Sequence, residues 1–111
     1  MASDQELVQA TACAIIDKLN LGDVTPLDLL DVLEKRIAEV DDKTNALPIL
    51  CFDRARANAK ALMQKKAGER GLLAGLPVPI KDLNNVAGVR TTQGSPIFKD
   101  LINQALIPYS Q

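Results

Sequence analysis

The stretch Gly71-Leu72-Leu73-Ala74-Gly75-Leu76-Pro77-Val78-Pro79-Ile80-Lys81-Asp82 is where the character of the chain changes. Glycines and prolines punctuate it, and inside it runs a strand-like alternation. Leu76, Val78 and Ile80 fall on one side; Pro77, Pro79 and Lys81 fall on the other. A lysine therefore closes the segment on the face opposite the aliphatic trio. Downstream, Val86-Ala87-Gly88-Val89 reads as a short extended piece, and Thr91-Thr92-Gln93-Gly94-Ser95-Pro96 as a polar turn.

Upstream of that stretch the apolar residues recur at helical spacing. Ser3-Asp4-Gln5-Glu6 has the form of a capping box, in which the serine hydroxyl accepts a first-turn N–H and the glutamate reaches back. Leu7, Val8, Ala12, Ile15 and Leu19 then share one face, which predicts one helix ending at Gly22. A second helix is predicted to open at Thr25-Pro26, with the threonine as N-cap and the proline in the first helical position. Its stripe is Leu29, Leu30, Leu33, Ile37 and Val40, with Asp28, Asp31, Glu34, Lys35 and Glu39 on the wet side. Ala46-Leu47-Pro48-Ile49-Leu50-Cys51-Phe52 reads as a buried strand, with Pro48 at its start or on an edge. Asp53 is then expected to cap a third helix to about Lys66, burying Ala55, Ala59, Leu62 and Met63. Arg54, Arg56, Lys60, Lys65 and Lys66 are expected to face solvent.

Composition limits what the chain can do. With 111 residues it holds one domain at most, and thirteen basic against fourteen acidic residues leave a net charge of −1. No local basic excess marks a nucleic-acid partner, and with aromatics at 3% there are few platforms for stacking bases. There is no histidine, which excludes a Ser-His-Asp triad, a Cys-His pair or an imidazole-bound metal. No metal or cofactor is expected. Cys13 and Cys51 have no metal-ligand spacing and read as reduced, partly buried thiols. The acidic, polar start lacks the form of a signal peptide, and no apolar run has the length of a membrane span. A cytoplasmic protein without membrane contact is expected.

Three features have chemical potential. Lys81 at a strand end admits two readings: an ammonium snorkelled into water, or a general base. A free lysine has a pKa of ~10.4, so a lysine base must be destabilised as a cation through burial and a site of hydroxyls rather than carboxylates. Adjacent strand residues point to opposite faces, so Asp82 need not pair with it. Ser95 is the only internal serine. It could form a dyad with Lys81, or it could simply cap a turn. Thr91 and Thr92 are open to the same choice between binding substrate and satisfying loop backbone.

Taken together, the run from Gly71 to Asp82 and the segment Val86-Ala87-Gly88-Val89-Arg90-Thr91-Thr92-Gln93-Gly94-Ser95-Pro96 closely resemble the amidase signature family of carboxamide-cleaving serine hydrolases. "GLPVPIKD" looks like the family's catalytic-lysine strand and "TTQGS" like the loop after it. The "TPLDLLDVLEKRI" and "FDRARANAKA" helices agree in kind, and the likeness covers nearly all of residues 5–100. The resemblance implies a mechanism with a lysine, a serine held by a cis peptide bond, and a nucleophilic serine, in which Lys81 matches the lysine. Ser95 matches neither serine, which argues against the dyad. Both serines belong to a Gly/Ser-rich region that this sequence does not contain.

The fold class so implied is α/β: the N-terminal part of the amidase signature fold, helices packed on a mixed sheet, with the sheet incomplete. Within residues 1–111 the expectation is a helical layer over about 3–70, the catalytic-lysine strand and TTxGS loop over about 71–100, and a divergent tail over 101–111. That tail prompts the expectation of a frameshift or premature stop, since the codons for Ala-Leu-Ile-Pro, shifted by one base, can read Ser-Ser-Asp-Pro. The expected function is that of a truncated amidase, inactive alone. Its complete form would act on a small-molecule amide. The alternatives are a non-catalytic interaction module and one half of a split amidase. A complementary C-terminal chain or self-association is the partner expected.

Overall fold

Local capping signals set the helix boundaries in the computed structural model, which describes residues 3–102. Four α-helices form among these residues: α1 (Asp4–Gln9), α2 (Ala12–Leu21), α3 (Pro26–Thr44) and α4 (Phe52–Met63). Ser3 and Glu6 make the expected reciprocal box, with Ser3 Oγ accepting the Glu6 N–H at 3.3 Å and Glu6 accepting the Ser3 N–H at 2.9 Å. The single helix expected from Ser3 to Gly22 is broken at Ala10. There the backbone turns extended, and Thr11 starts a new helix by accepting the Ala14 N–H on its hydroxyl at 3.2 Å. Gly22 then closes α2 in the left-handed conformation with φ +77°.

Thr25 and Pro26 open α3 as expected. Asp28, placed on the wet side by its spacing, instead completes a capping box by accepting the Thr25 N–H at 2.9 Å. At the other end Asn45 adopts a left-handed cap, and the Asp41 carboxylate accepts the N–H groups of Ala46 at 2.8 Å and Leu47 at 3.3 Å. These two N–H groups belong to the segment expected as a buried strand. With Pro48 lacking a donor altogether, little remains there to build a ladder. The segment is irregular, and Leu50 and Cys51 are exposed. α4 follows with Cys51 rather than Asp53 at its N-cap and ends at Met63, short of Lys66.

Two compact units divide the chain, Met1–Pro77 and Val78–Gln111. The core of the first is Leu7, Val24 and Leu29, with Ile15, Leu19 and Val32 packed against it. α3 packs on both α1 and α4. Arg56 joins the latter pair: its guanidinium is within hydrogen-bonding distance of Asp31 at 3.2 Å, also reaches Glu34, and stands 5.4 Å from the centroid of the Phe52 ring. Arg56 is thus an inter-helix tie rather than a solvent-facing charge. Gly75, with φ +92°, lies against Pro26 and Leu19 in a space too tight for a side chain.

The second unit, as far as it is described, consists of irregular backbone, turns and one 3-10 turn, Pro96–Phe98. Among the described residues no sheet forms; a lone antiparallel bridge pairs Arg90 with Ile102. The Leu76–Ile80 alternation thus yields no strand among the described residues, and Val78 and Ile80 are exposed. The incomplete mixed sheet is not seen as a sheet here, because a strand needs a neighbour to pair with. From residue 103 onward the expected divergent tail lies outside the described residues. No helix among the described residues is long and apolar enough to cross a membrane.

Candidate functional site

Lys81 ends the irregular run after Gly75 and begins a turn, its carbonyl accepting the Asn84 N–H at 2.9 Å. The side chain is exposed, and among the described residues no hydrogen bond or ion pair engages its ammonium. The burial that a lysine base needs is therefore not supplied by the surroundings described here.

The residue beside it is held from the opposite end of the loop. Asp82 Oδ1 accepts the Thr92 N–H at 2.8 Å, and Oδ2 accepts the Thr92 hydroxyl. The Asp82 carbonyl accepts the Gln93 N–H at 3.1 Å, and Gln93 Nε2 donates to Asn85 Oδ1 at 3.2 Å. To reach these positions the chain turns through left-handed conformations at Gln93 (φ +55°) and Gly94 (φ +69°). The Gly94 N–H in turn donates to the Thr92 hydroxyl oxygen at 3.3 Å. Hydrogen bonds from the Thr92 hydroxyl and then its N–H hold the Asp82 carboxyl below the usual carboxylate range. Burial opposes them, while the Arg90 charge and the Gly94 N–H add to them. Arg90 is itself anchored, with Nη1 donating to the Lys99 carbonyl at 2.8 Å.

The other hydroxyls are used locally. Thr91 is 2% exposed and directs Oγ1 to the Val89 carbonyl at 3.5 Å. Ser95 caps the 3-10 turn Pro96–Phe98, accepting the Ile97 N–H on Oγ at 3.3 Å. No hydrogen bond joins Lys81 to Ser95 among the described residues, so the structure does not assemble the dyad. Of the sequence features with chemical potential, Lys81 stands unengaged among the described residues, Ser95 and Thr91 serve the loop backbone, and Thr92 binds the Asp82 carboxylate as well as the Gly94 N–H. Asp82 emerges as the organising residue of the loop. Its partner lies ten positions away, beyond the reach of helix or strand periodicity; an acidic residue followed at that distance by Thr-Thr-x-Gly was the available signal.

Comparison with known proteins bears on what this arrangement belongs to. A family model described as Amidase matches residues 28–105. The A subunit of the glutamyl-tRNA(Gln) amidotransferase of Shouchella clausii is 47% identical over 73 residues, covering 66% of this chain and 15% of that protein. Putative amidase AmiB2 of Mycobacterium tuberculosis (strain ATCC 25618 / H37Rv) is 43% identical over 91 residues, 81% of this chain and 20% of that protein. The corresponding amidotransferase protein of Roseiflexus castenholzii is 35% identical over 95 residues, 85% of this chain and 19% of that protein. The chain thus spans a fifth or less of the length of these relatives. No solved structure matches significantly. With the family match extending across the lysine-bearing segment and the threonine turn that folds back on it, the chain belongs to the amidase family.

Proposed function

We propose that this chain contributes Lys81 to an amidase-type serine hydrolase site as the N-terminal portion of an amidase domain. The observation that carries the reading is that the family match takes in both "GLPVPIKD" and "TTQGS". In the mechanism the family likeness implies, neutral Lys81 accepts a proton from a bridging serine, which takes one from the nucleophilic serine as that attacks the carboxamide carbon. Backbone N–H groups of a Gly/Ser-rich segment stabilise the oxyanion, and the C–N bond breaks as the amine leaves. Neither serine is among the 111 residues of this sequence.

Alone, the chain is proposed to be inactive. Lys81 is exposed, so the desolvation a lysine base requires is not supplied, and among the described residues no hydroxyl is hydrogen-bonded to its amine. The remainder of an amidase domain would supply desolvation as well as the serines, and would offer the irregular segments 46–51 and 76–80 ladder partners. The second reading, a non-catalytic module that binds a partner chain, is favoured by the apolar residues left in water: Leu72 is 92% exposed and Ile97 85%.

A chimera separates the two. Residues 1–102 replace the equivalent portion of the AmiB2 relative, and hydrolysis of a simple amide is followed in the chimera and its Lys81→Met variant, with the intact relative as control. An active chimera that loses about a thousandfold or more in kcat with Lys81→Met is the expected result. Full activity in that variant would refute the assignment of Lys81. The 111-residue chain by itself is expected to turn over no amide, and Ser95-dependent turnover would show the site to be elsewhere.

A further inference from the structure

The proton relay proposed above gives Asp82 no task, yet Asp82 receives three hydrogen bonds from Thr92 and Gln93, ten and eleven residues further on. A carboxylate adjacent in sequence to a lysine base is a hazard. Were the two to pair, the ammonium would be stabilised and the base lost. Among the described residues no ion pair joins Lys81 to Asp82; both carboxylate oxygens are occupied by Thr92 instead. The peptide group between the two is also held on either side, by Asn84 on the Lys81 carbonyl and by the Asp82 carboxylate on the returning turn.

We propose that Asp82 is a positioning residue of the lysine site: clasped by Thr92, its carboxylate is kept off the Lys81 amine, and the clasp fixes the backbone from which Lys81 extends. The inference rests on the reading of Lys81 as the proton-transfer lysine. Thr92 is the switch in this arrangement. Its hydroxyl and N–H act as neutral donors that satisfy the anion without adding a charge beside the lysine. The charged neighbours of Asp82 are Lys81 in sequence and Arg90, whose guanidinium lowers the Asp82 carboxyl's affinity for a proton and is anchored on the Lys99 carbonyl. The left-handed turns at Gln93 and Gly94 are what bring Thr92 back to this point.

Two measurements on the 111-residue chain test the clasp without any need for activity. Amide exchange at Thr92 and Gln93, followed by NMR, is expected to accelerate about tenfold or more in Asp82→Asn, with exchange in α3 unchanged. Titration of the Lys81 side chain, followed at its ε-carbon, is expected to move to higher pH in Thr92→Val, where a carboxylate oxygen is released toward the amine. Thr92→Ser should restore the original titration, and Asp82→Asn, having no anion, should not move it upward. Unaltered exchange in Asp82→Asn, or a Lys81 titration indifferent to Thr92→Val, would overturn the proposal.

In the active chimera, Thr92→Val should shift the acid limb of the kcat/KM profile to higher pH, again with rescue by Thr92→Ser. A loss of kcat with the limb unmoved would reduce Asp82 to a structural role. These outcomes are distinguishable from failure of the functional reading, because only the latter leaves Lys81→Met active.

Discussion

Gly75 approaches Pro26 so closely that a Cβ built on the glycine would stand 2.9 Å from Pro26 Cγ and 3.4 Å from both terminal carbons of Leu19. Its φ of +92° is also one that side chains rarely adopt. Strain and overlap thus act together at the point where the loop following α4 meets the start of α3. Gly75→Ala is expected to lower the unfolding free energy by about 1–3 kcal/mol, read as a reduced urea midpoint at unchanged slope. Gly71, with no atom within 4 Å of an added Cβ, is the control; its alanine variant should stay within about 0.5 kcal/mol of the parent.

Thr11 separates α1 from α2 by capping the second helix, and its hydroxyl is the group that does so. Thr11→Ala should cost about 1 kcal/mol, while Thr11→Ser, which keeps the acceptor, should cost a small fraction of that. Chemical denaturation of the two variants side by side checks the difference. An alanine variant as stable as the parent would mean that the break at Ala10 is not maintained by the cap.

Asp41 makes acid stability depend on the α3 terminus. The Ala46 N–H, and after it the Thr44 hydroxyl and the Leu47 N–H, hold its carboxyl below the ordinary value of 3.8, with burial acting the other way. The folded chain therefore takes up this proton at lower pH than the unfolded chain does. The stabilisation from this group is complete above pH 3.8 and drains away as pH falls through the lower folded value. Asp41→Asn should be less stable than the parent at neutral pH, and the gap between them should close as pH drops below about 4. Thermal melts between pH 2 and pH 7 measure that gap.

Both cysteines are free and exposed in the structure, not partly buried as expected. Native chain should therefore release two equivalents of thiol to an aromatic disulfide reagent without denaturant. The Cys51 thiol, at the N-cap of α4, makes no side-chain capping bond there. Cys51→Ser, whose hydroxyl can accept a first-turn N–H, should leave α4 intact or modestly strengthened by circular dichroism.

What could be read in the sequence was what a few neighbouring residues decide among themselves. The Ser3/Glu6 box, the Thr25-Pro26 start and the Gly22 stop all depend on contacts three or four positions long, and they stand where expected. The break at Thr11 was local too, but Gln9-Ala10-Thr11 also suits a helix surface, and apolar spacing carried across it. Strand pairing failed for the opposite reason: alternation in Leu76, Val78 and Ile80 gives a face but not a neighbour. At the site, the lysine stood out through its family likeness, whereas the Asp82–Thr92 clasp did not. It depends on two left-handed residues bringing a distant hydroxyl home, and no periodicity registers that.

The core of the first unit is drawn from residues near one another in the chain, Leu7, Val24 and Leu29, tied by helices that cap themselves. During synthesis such contacts close soon after they leave the ribosome, with little wait for distant sequence. Leu72, set in water just after α4, then emerges onto an already folded nucleus as a greasy tether. A chaperone that grips short apolar segments is expected to find a handle there during translation.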